Sequence, residues 1–459
     1  LSGDFNPLHV DAVAARRMLF GAPVVHGIHA LLWSIECCLE NESEKLELSL
    51  VKAFFPRPIK VGDEVSLSVK KNEDGQFKLE LLCDDSIVAE IEVKFDYKVS
   101  QHLSTVATGF PEKRLPRLLT KNEMEHDSGS LDLCLHKEAA TRMFPHLIRC
   151  LSPLQIAIIL SSTRLVGAVC PGMQSVYFEI RLSKTDSNQN NKSSLLYQVS
   201  KYDHRFSLVN MKVTAPGMEG VIKAFRRPDL QQQANYLSLK ERVVDNEFSG
   251  QRALVIGGSR GLGEVAAKLL AGGGADVKIT YNKGLVDAEI IVDDIVSNGG
   301  SADSFQFDVL NSASVSLCEL TKEWLPTHLY YFATPFIAPG KKLFSSQLFQ
   351  KFCDYYIVGF TNTVNQVNEG DVQHIFYPST VFIDELPKNM AEYTVAKLAS
   401  ELLCAFMEKY NSKLKISSPR LPKVATDQTV SIFPDSKDDP ASVLITELRS
   451  FRDSSTPSV

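Results

Sequence analysis

The first residues that could do chemistry stand at the start of the chain, where Asp4 and His9 flank an Asn6-Pro7 turn. Proline fixes its own φ angle and restricts the residue before it, so this turn can hold a carboxylate and an imidazole towards one point. The pair suits addition of water to a conjugated thioester, because one group can take a proton from water while the other protonates the α-carbon. The sequence therefore predicts Asp4 and His9 as a catalytic pair.

The same reaction needs a hydrogen-bond donor for the enolate oxygen. Gly27 follows Val24-Val25-His26 at the predicted start of a helix, where a backbone N–H is unpaired and a glycine lets a carbonyl approach. An alternative is that Asp4 and Asn6 only cap a turn and the next helix. Capping explains neither His9 nor Gly27, so we predict Gly27 as the oxyanion donor.

The amino-acid sequence of these segments closely resembles that of the MaoC-like (R)-specific enoyl-CoA hydratases of the hot-dog fold. Two segments carry the resemblance: Ser2–Asp11 and Phe20–Gly27. It implies that Asp4 and His9 are catalytic, that Gly27 binds the oxyanion, and that Ser2 and Asn6 shape the site. Family members have a strand and a helix ahead of the motif, so we expect a piece of this domain to precede the first residue.

A second group of residues forms a glycine-rich turn between an apolar strand and a helix. Glycines allow backbone to approach a pyrophosphate closely, and the helix N-terminus stabilises its negative charge. We predict that the cofactor contacts are Gly257, Ser259, Arg260, Gly261, Leu262 and Gly263.

Tyr393 and Lys397 are one helical turn apart, on one face of an evident helix. A phenol is a poor proton donor and acceptor at neutral pH, and a nearby ammonium would lower its pKa towards a useful range. Ser379 or Thr380, at the end of a predicted strand, would hydrogen-bond the reacting carbonyl. The spacing to Tyr393 favours Thr380, whereas the local strand alignment favours Ser379, and we lean to Ser379.

Residues 250 to about 430 resemble the short-chain dehydrogenases/reductases. That resemblance implies that Asp308 and Val309 contact the adenine side of the cofactor. NADPH is favoured over NADH, because no acid follows the second strand at 280–283 and Arg260 could pair with a 2′-phosphate. Two family features are missing: Tyr331-Phe332-Ala333-Thr334 replaces Asn-Asn-Ala-Gly, and no asparagine lies near 358–359.

The 459 residues suggest several domains. We predict an α+β double hot-dog followed by an α/β Rossmann-type, doubly wound parallel sheet. The predicted parts of the chain are a hydratase domain over 1–98, a degenerate hot-dog domain over 99–228, a linker over 229–249 and a reductase domain over 250–459. The degenerate domain lacks the Asp-x-Asn-Pro-x-His motif and is expected to make room for an acyl chain. His146 and His204 are possible bases there, although lone histidines are more often structural.

Composition excludes several other classes of protein. A net charge of -6 gives no electrostatic case for binding nucleic acid or an anionic membrane. The 9 cysteines show no zinc-site spacing, so we expect no metal. No apolar run is long enough to span a membrane. We expect a cytoplasmic homodimer.

Together the motifs predict a bifunctional enzyme, an enoyl-thioester hydratase joined to a 3-oxoacyl-thioester reductase. The two chemistries share the 3-hydroxyacyl thioester, and either coenzyme A or acyl carrier protein could carry it. One alternative keeps the reductase and makes the hot-dog half a non-catalytic acyl-binding or dimerising module. Another alternative is a nucleotide-sensing protein that catalyses no reaction. The missing asparagines are consistent with this alternative.

Overall fold

The chain folds into two compact units, which are described separately. The computed structural model describes residues 1–73, 75–97, 106–185, 193–311, 317–340, 343–368, 372–432 and 435–455. The first unit is built on residues 1–229 and the second on 230–430 together with 435–455. The predicted boundary at 98/99 lies outside the described residues. In the described part of the chain, no helix has both the length and the apolar character needed to cross a membrane.

The first unit is built around one antiparallel sheet of nine strands, in the order β2-β3-β4-β1-β8-β11-β10-β9-β6. The strands, with the short parallel pair β5 and β7, are β1 (Glu47–Phe54), β2 (Ser66–Glu73), β3 (Gln76–Cys83), β4 (Ser86–Asp96), β5 (Ala107–Thr108), β6 (Ser128–Asp132), β7 (Cys134–Leu135), β8 (Ser175–Lys184), β9 (Ser194–Asp203), β10 (Leu208–Ala215) and β11 (Met218–Arg226). The helices are α1 (Pro7–Val10), α2 (Ala12–Ala15), α3 (Gly27–Cys38), α4 (Lys121–Glu125), α5 (Lys137–Met143), α6 (Pro145–Cys150) and α7 (Pro153–Arg164).

The strand order repeats on the two sides of the central pair β1 and β8. Moving outward, β1 is followed by β4, β3 and β2, and β8 is followed by β11, β10 and β9. Each series follows a long helix in the chain, α3 before β1 and α7 before β8. We call α1–α3 with β1–β4 the first half and α7 with β8–β11 the second half. Since β1 and β8 are antiparallel, the two halves form one continuous sheet.

The two long helices are buried to different extents. In α3 the apolar stripe Ile28, Leu31, Leu32 and Ile35 is buried, as an amphipathic helix on a sheet requires. In α7 every residue from Leu154 to Arg164 is buried. This helix continues as a π-helical turn over Leu165–Val169, a feature often found at functional sites.

The central strand β1 does not alternate regularly between buried and less buried residues along its whole length. A bulge between Leu48 and Leu50 shifts the register of β1 against β4 and breaks the simple alternation.

The second unit contains a six-stranded parallel sheet in the order β14-β13-β12-β15-β16-β18. The strands, with the separate pair β17 and β19, are β12 (Arg252–Ile256), β13 (Asp276–Tyr281), β14 (Ser301–Gln306), β15 (His328–Tyr331), β16 (His374–Phe376), β17 (Ser379–Thr380), β18 (Lys415–Ser417) and β19 (Arg420–Leu421). The helices are α8 (Tyr236–Lys240), α9 (Gly261–Gly272), α10 (Leu285–Val296), α11 (Leu317–Thr321), α12 (Ser346–Cys353), α13 (Phe360–Asn368), α14 (Phe382–Glu385), α15 (Ala391–Tyr410) and α16 (Pro440–Ser455).

This sheet has a Rossmann-type arrangement. Strand order runs one way from β12 to β14 and the other way from β15 to β18, so the reversal falls between β12 and β15. Ligands of such sheets bind at that crevice, beyond the carboxyl ends of the strands. The glycine-rich turn follows β12 and therefore stands at this point.

The segment over 229–249, predicted as a linker, contributes to the second unit. It contains α8, and Tyr236, Leu239 and Phe248 are buried in that unit's core.

Candidate active sites

Asn6 anchors the N-terminal motif to the second half of the sheet. Its Oδ1 accepts a hydrogen bond from the Leu8 N–H at 3.1 Å and so caps α1. Its Nδ2 faces three carbonyl oxygens, those of Gly167, Gly172 and Met173, each at 3.1 Å. Asn6 is fully buried. The motif loop is therefore fixed by residues more than 160 positions away in the sequence.

Asp4 lies buried at the centre of the site. Its Oδ1 accepts from the Asn6 N–H at 3.1 Å, and its Oδ2 accepts from the Thr163 hydroxyl at 2.9 Å. The His26 Nε2 lies 3.4 Å from the same Oδ2. Burial alone would raise the pKa of Asp4, but the nearby His26, followed by His9 and the Asn6 N–H, holds that pKa below its ordinary value. Asp4 is a carboxylate at neutral pH.

His9 is held as a neutral imidazole with one defined tautomer. Its Nδ1 lies 2.7 Å from the carbonyl oxygen of Val24, which can only accept, so Nδ1 carries the hydrogen and Nε2 has the lone pair. The ring stacks on that of His26 at 3.8 Å between centroids. Burial, and then the positive charge of His26, lower the pKa of His9 to about 4.

Asp4, His9 and His26 form a compact polar cluster, whose nearest nitrogen and oxygen atoms lie within 4.8 Å of one another. This spacing could admit a metal ion. A carboxylate beside a neutral imidazole in an apolar cavity also suits proton transfer.

Gly27 is the first residue of α3, and His26 precedes it without a side-chain hydrogen bond to the helix. A β-carbon at Gly27 would lie 3.1 Å from the ring of Phe55, so the close packing favours glycine. The N–H groups of a first helical turn have no partner within the helix and can face a developing oxyanion. Gly27 lies beside the same cavity as Asp4 and His9.

These groups line a cavity of about 160 Å³. Its polar end holds Asp4, His9 and Gly27, and its apolar walls include Phe55, Val166 and Phe178. Such a cavity can take an apolar chain with a reactive polar head. His146 and His204 do not line it; they pair with Glu36 at 3.1 Å and Glu125 at 2.6 Å.

Sequence reasoning missed three residues of this site: His26, Thr163 and Gly167. A β-carbon on Gly167 would lie 2.2 Å from both carboxylate oxygens of Asp4, so this position admits no side chain. His26 directly precedes the predicted oxyanion donor Gly27, and this position was the available signal in the sequence. Thr163 and Gly167 belong to no motif, and only the fold brings them to Asp4.

The glycine-rich turn of the second unit is shaped by close backbone packing. Gly257 has a φ of +78°, and a β-carbon there would lie 2.9 Å from the Ala333 nitrogen. A β-carbon on Gly263 would lie 2.3 Å from the Gly257 carbonyl oxygen. Ser259 is buried within the turn. Gly261 and Leu262 open α9, which has no side-chain cap and can accept an anion at its N-terminus.

Two of the predicted cofactor contacts are charged residues, Arg260 and Asp308. Arg260 forms an ion pair with Asp427, whose side chain is buried. Asp308 accepts a hydrogen bond from the Leu310 N–H at 3.0 Å, beside the buried Val309. Asp427 therefore balances part of the charge that Arg260 brings to the turn.

The predicted catalytic residues of the second unit lie on β17 and α15, and all four are at least 90% buried: Ser379, Thr380, Tyr393 and Lys397. Burial raises the pKa of Tyr393 to about 12, although a hydrogen bond with Thr380 opposes the shift. The expected lowering of this pKa by Lys397 is not seen. Ser379 lies beside Glu401 instead: burial raises the pKa of Glu401, and Arg420 together with the nearby Ser379 hydroxyl brings it below its ordinary value.

The contacts of Lys397 explain this difference. Its Nζ donates to the Pro378 carbonyl oxygen at 2.8 Å and lies 4.1 and 4.6 Å from the ring centroids of Tyr356 and Tyr377. Burial lowers the pKa of Lys397 to about 7. Two ring faces and a carbonyl thus hold the ammonium, and its charge does not lower the pKa of Tyr393.

Comparison with known proteins bears first on the N-terminal part of the chain. Residues 1–89 match the family model of the MaoC like domain. The N-terminal segment is therefore a MaoC-like domain, as predicted. Over 58 residues the chain is 38% identical to the peroxisomal hydratase-dehydrogenase-epimerase of Saccharomyces cerevisiae, spanning 12% of this chain and 6% of that protein.

A second curated relative is a 3-oxoacyl-[acyl-carrier-protein] reductase of Synechocystis sp. It is 39% identical over 68 residues, which are 15% of this chain and 28% of the relative. The chain thus spans less than a third of the length of either relative. The predicted combination of a MaoC-like domain with a relative of 3-oxoacyl reductases is confirmed.

Solved structures similar to this chain include a short chain dehydrogenase from Burkholderia cenocepacia in complex with NADP. It is 21% identical, with a TM-score of 0.39, over 44% of this chain and 91% of that chain. A dehydrogenase/reductase from Sinorhizobium meliloti is 19% identical, with a TM-score of 0.40, over 46% of this chain and 92% of that structure's chain.

Proposed function

We propose that the protein is a bifunctional acyl-thioester enzyme, an (R)-specific enoyl-thioester hydratase or dehydratase joined to an NADPH-dependent 3-oxoacyl-thioester reductase. The observation that carries the proposal is the pairing of the Asp4 carboxylate with the neutral His9 imidazole at the polar end of an apolar cavity. The (R) stereochemistry rests on the MaoC-like resemblance.

In the hydratase site, His9 Nε2 is the base that takes a proton from water as the water oxygen bonds to the β-carbon. The Asp4 carboxylate orients that water and stabilises the imidazolium that forms. The thioester oxygen gains negative charge and accepts from N–H groups at the start of α3. Both acid–base groups are deprotonated at neutral pH, so the proton delivered to the α-carbon is the one His9 has just accepted.

The nine-stranded sheet fits a double hot-dog, in which α3 and α7 are the two long helices. The repeated strand order about β1 and β8 supports this interpretation. The first half carries Asp4 and His9, and the second half contributes Val166 and Phe178 to the cavity wall, where an acyl chain would lie.

In the reductase site, Tyr393 donates its phenolic proton to the oxygen of the 3-oxo group, and Thr380 hydrogen-bonds the same oxygen. The raised pKa of Tyr393 keeps the phenol protonated and suits reduction. When bound, the reduced nicotinamide supplies the hydride that reaches the β-carbon. The close packing at Gly257 and the uncapped start of α9 fit the pyrophosphate of that cofactor.

NADPH is proposed over NADH because Arg260 stands at the turn, and 280–283 contains no acid to bind a ribose hydroxyl. Substrate carriers are coenzyme A or acyl carrier protein. We also propose a homodimer in the cytoplasm. Tethering would raise the local concentration of the shared 3-hydroxyacyl thioester.

The purified full chain tests both activities. Crotonyl-CoA should lose its conjugated absorbance on hydration, and acetoacetyl-CoA should oxidise NADPH. Repeating the second assay with NADH tests the cofactor preference. Absence of activity in both assays would reject the proposal. Reduction without hydration would instead indicate a reductase with a non-catalytic hot-dog module.

A further inference from the structure

We propose that Thr163, in the second half of the sheet, is a positioning residue for hydration. Its hydroxyl holds the Asp4 carboxylate in the orientation that faces the cavity. This inference rests on the proposed hydratase function and gives the second half a role beyond forming a cavity wall.

The contact joins two buried side chains from different halves. The Thr163 Oγ1 donates to the Asp4 Oδ2 at 2.9 Å, and both residues are at most 5% exposed. A helical threonine hydroxyl often bonds a carbonyl one turn earlier. Here the Thr163 hydroxyl bonds a carboxylate 159 residues away in the sequence.

The surroundings leave the carboxylate few other orientations. The Asn6 N–H holds Oδ1 at 3.1 Å, and the space at Gly167 that a β-carbon would fill is occupied by both oxygens. The π-helical turn that contains Gly167 directly follows Thr163 and Arg164 on α7. One short segment of the second half therefore supplies both the donor and the room that Asp4 needs.

This arrangement has a kinetic consequence. A carboxylate free to rotate would often direct its lone pairs away from the water that it must orient, while the acyl chain would still bind in the apolar cavity. Loss of the Thr163 hydroxyl should therefore lower kcat and leave KM nearly unchanged, because an orienting interaction for the reacting water is lost and substrate contacts are kept.

The test compares Thr163→Val, which keeps the shape and removes the donor, with Thr163→Ser, which keeps the donor. Hydration of crotonyl-CoA by Thr163→Val should show a kcat about 10- to 100-fold lower with KM within about threefold, as for a hydrogen bond to a charged group. Thr163→Ser should stay within about threefold of the unmutated protein. A kcat for Thr163→Val within threefold would overturn the inference.

A double-mutant cycle separates positioning from a general loss of stability. If Thr163 acts through Asp4, then Thr163→Val should cause no further loss of hydration in an Asp4→Asn background. An equal loss in both backgrounds would overturn the positioning role. Absence of hydration in the unmutated protein would instead reject the proposed function, and this inference with it.

Discussion

In the first unit the buried Asp4 keeps a pKa below its ordinary value, whereas in the second unit the buried Tyr393 has a pKa raised to about 12. Burial opposes the charged form of both groups. The difference lies in their partners: Asp4 has two imidazoles and a hydroxyl, while the ammonium nearest to Tyr393 in sequence contacts a carbonyl and two aromatic rings. Similar burial thus gives a carboxylate that stays charged and a phenol that stays protonated at neutral pH.

The largest expected effect comes from Asp4→Asn. The amide is similar in shape but carries no charge to orient water or stabilise the His9 imidazolium, so hydration of crotonyl-CoA should fall by about 10³-fold. Reduction of acetoacetyl-CoA by the same protein should be unchanged and serves as the folding control. Hydration within tenfold of the original rate would show that Asp4 is not catalytic.

Tyr393→Phe should have a comparable effect in the other unit. Removal of the phenolic hydroxyl takes away the proton donor, and NADPH-dependent reduction should fall by about 10²- to 10³-fold. Binding of NADPH, followed by its fluorescence, should persist, and hydration should continue at the original rate. Reduction that survives would mean that another group protonates the substrate.

Ser379 and Thr380 can be distinguished by removing each hydroxyl in turn. Thr380 lies close enough to Tyr393 to oppose the rise of its pKa, whereas Ser379 lies beside Glu401, so Thr380→Val should lower reduction by about 10- to 100-fold and Ser379→Ala by less than about fivefold. Both variants are assayed with acetoacetyl-CoA and NADPH at saturation. The reverse order of effects would restore the preference for Ser379 drawn from strand alignment.

The smallest effects should appear in the pH profiles. Because the pKa of His9 is lowered to about 4, its basic form persists, and hydration should vary less than about twofold between pH 6 and 8. Lys397 has a pKa of about 7, but its charge does not act on Tyr393, so its deprotonation as the pH rises through that value should leave reduction within about twofold. A hydration rate that falls as the pH drops below 6.5 would indicate an ordinary imidazole.

Local signals in the sequence were sufficient to place the motif residues. Asp4, His9 and Gly27 lie together because a turn and a helix start set their positions, and the glycine-rich turn follows a strand as its spacing indicates. Thr163 and Gly167 could not be found this way, since their contacts depend on the pairing of β1 with β8.

The direction of the Tyr393 pKa shift was also beyond the sequence. A Tyr-x-x-x-Lys spacing fixes which face of α15 the two residues share, but not which atoms the ammonium contacts. Those contacts come from Tyr356, Tyr377 and Pro378, which lie on other segments of the chain.

The lack of a side chain at Gly167, beside the Asp4 carboxylate, has an evolutionary consequence. Because even a methyl group there would collide with the carboxylate of Asp4, positions 4 and 167 should change together over evolutionary time. Relatives that keep the aspartate should keep the glycine, and lineages that lose the aspartate should be free to accept alanine or serine. Such paired substitution would show, from sequences alone, which relatives have lost the proposed hydratase activity.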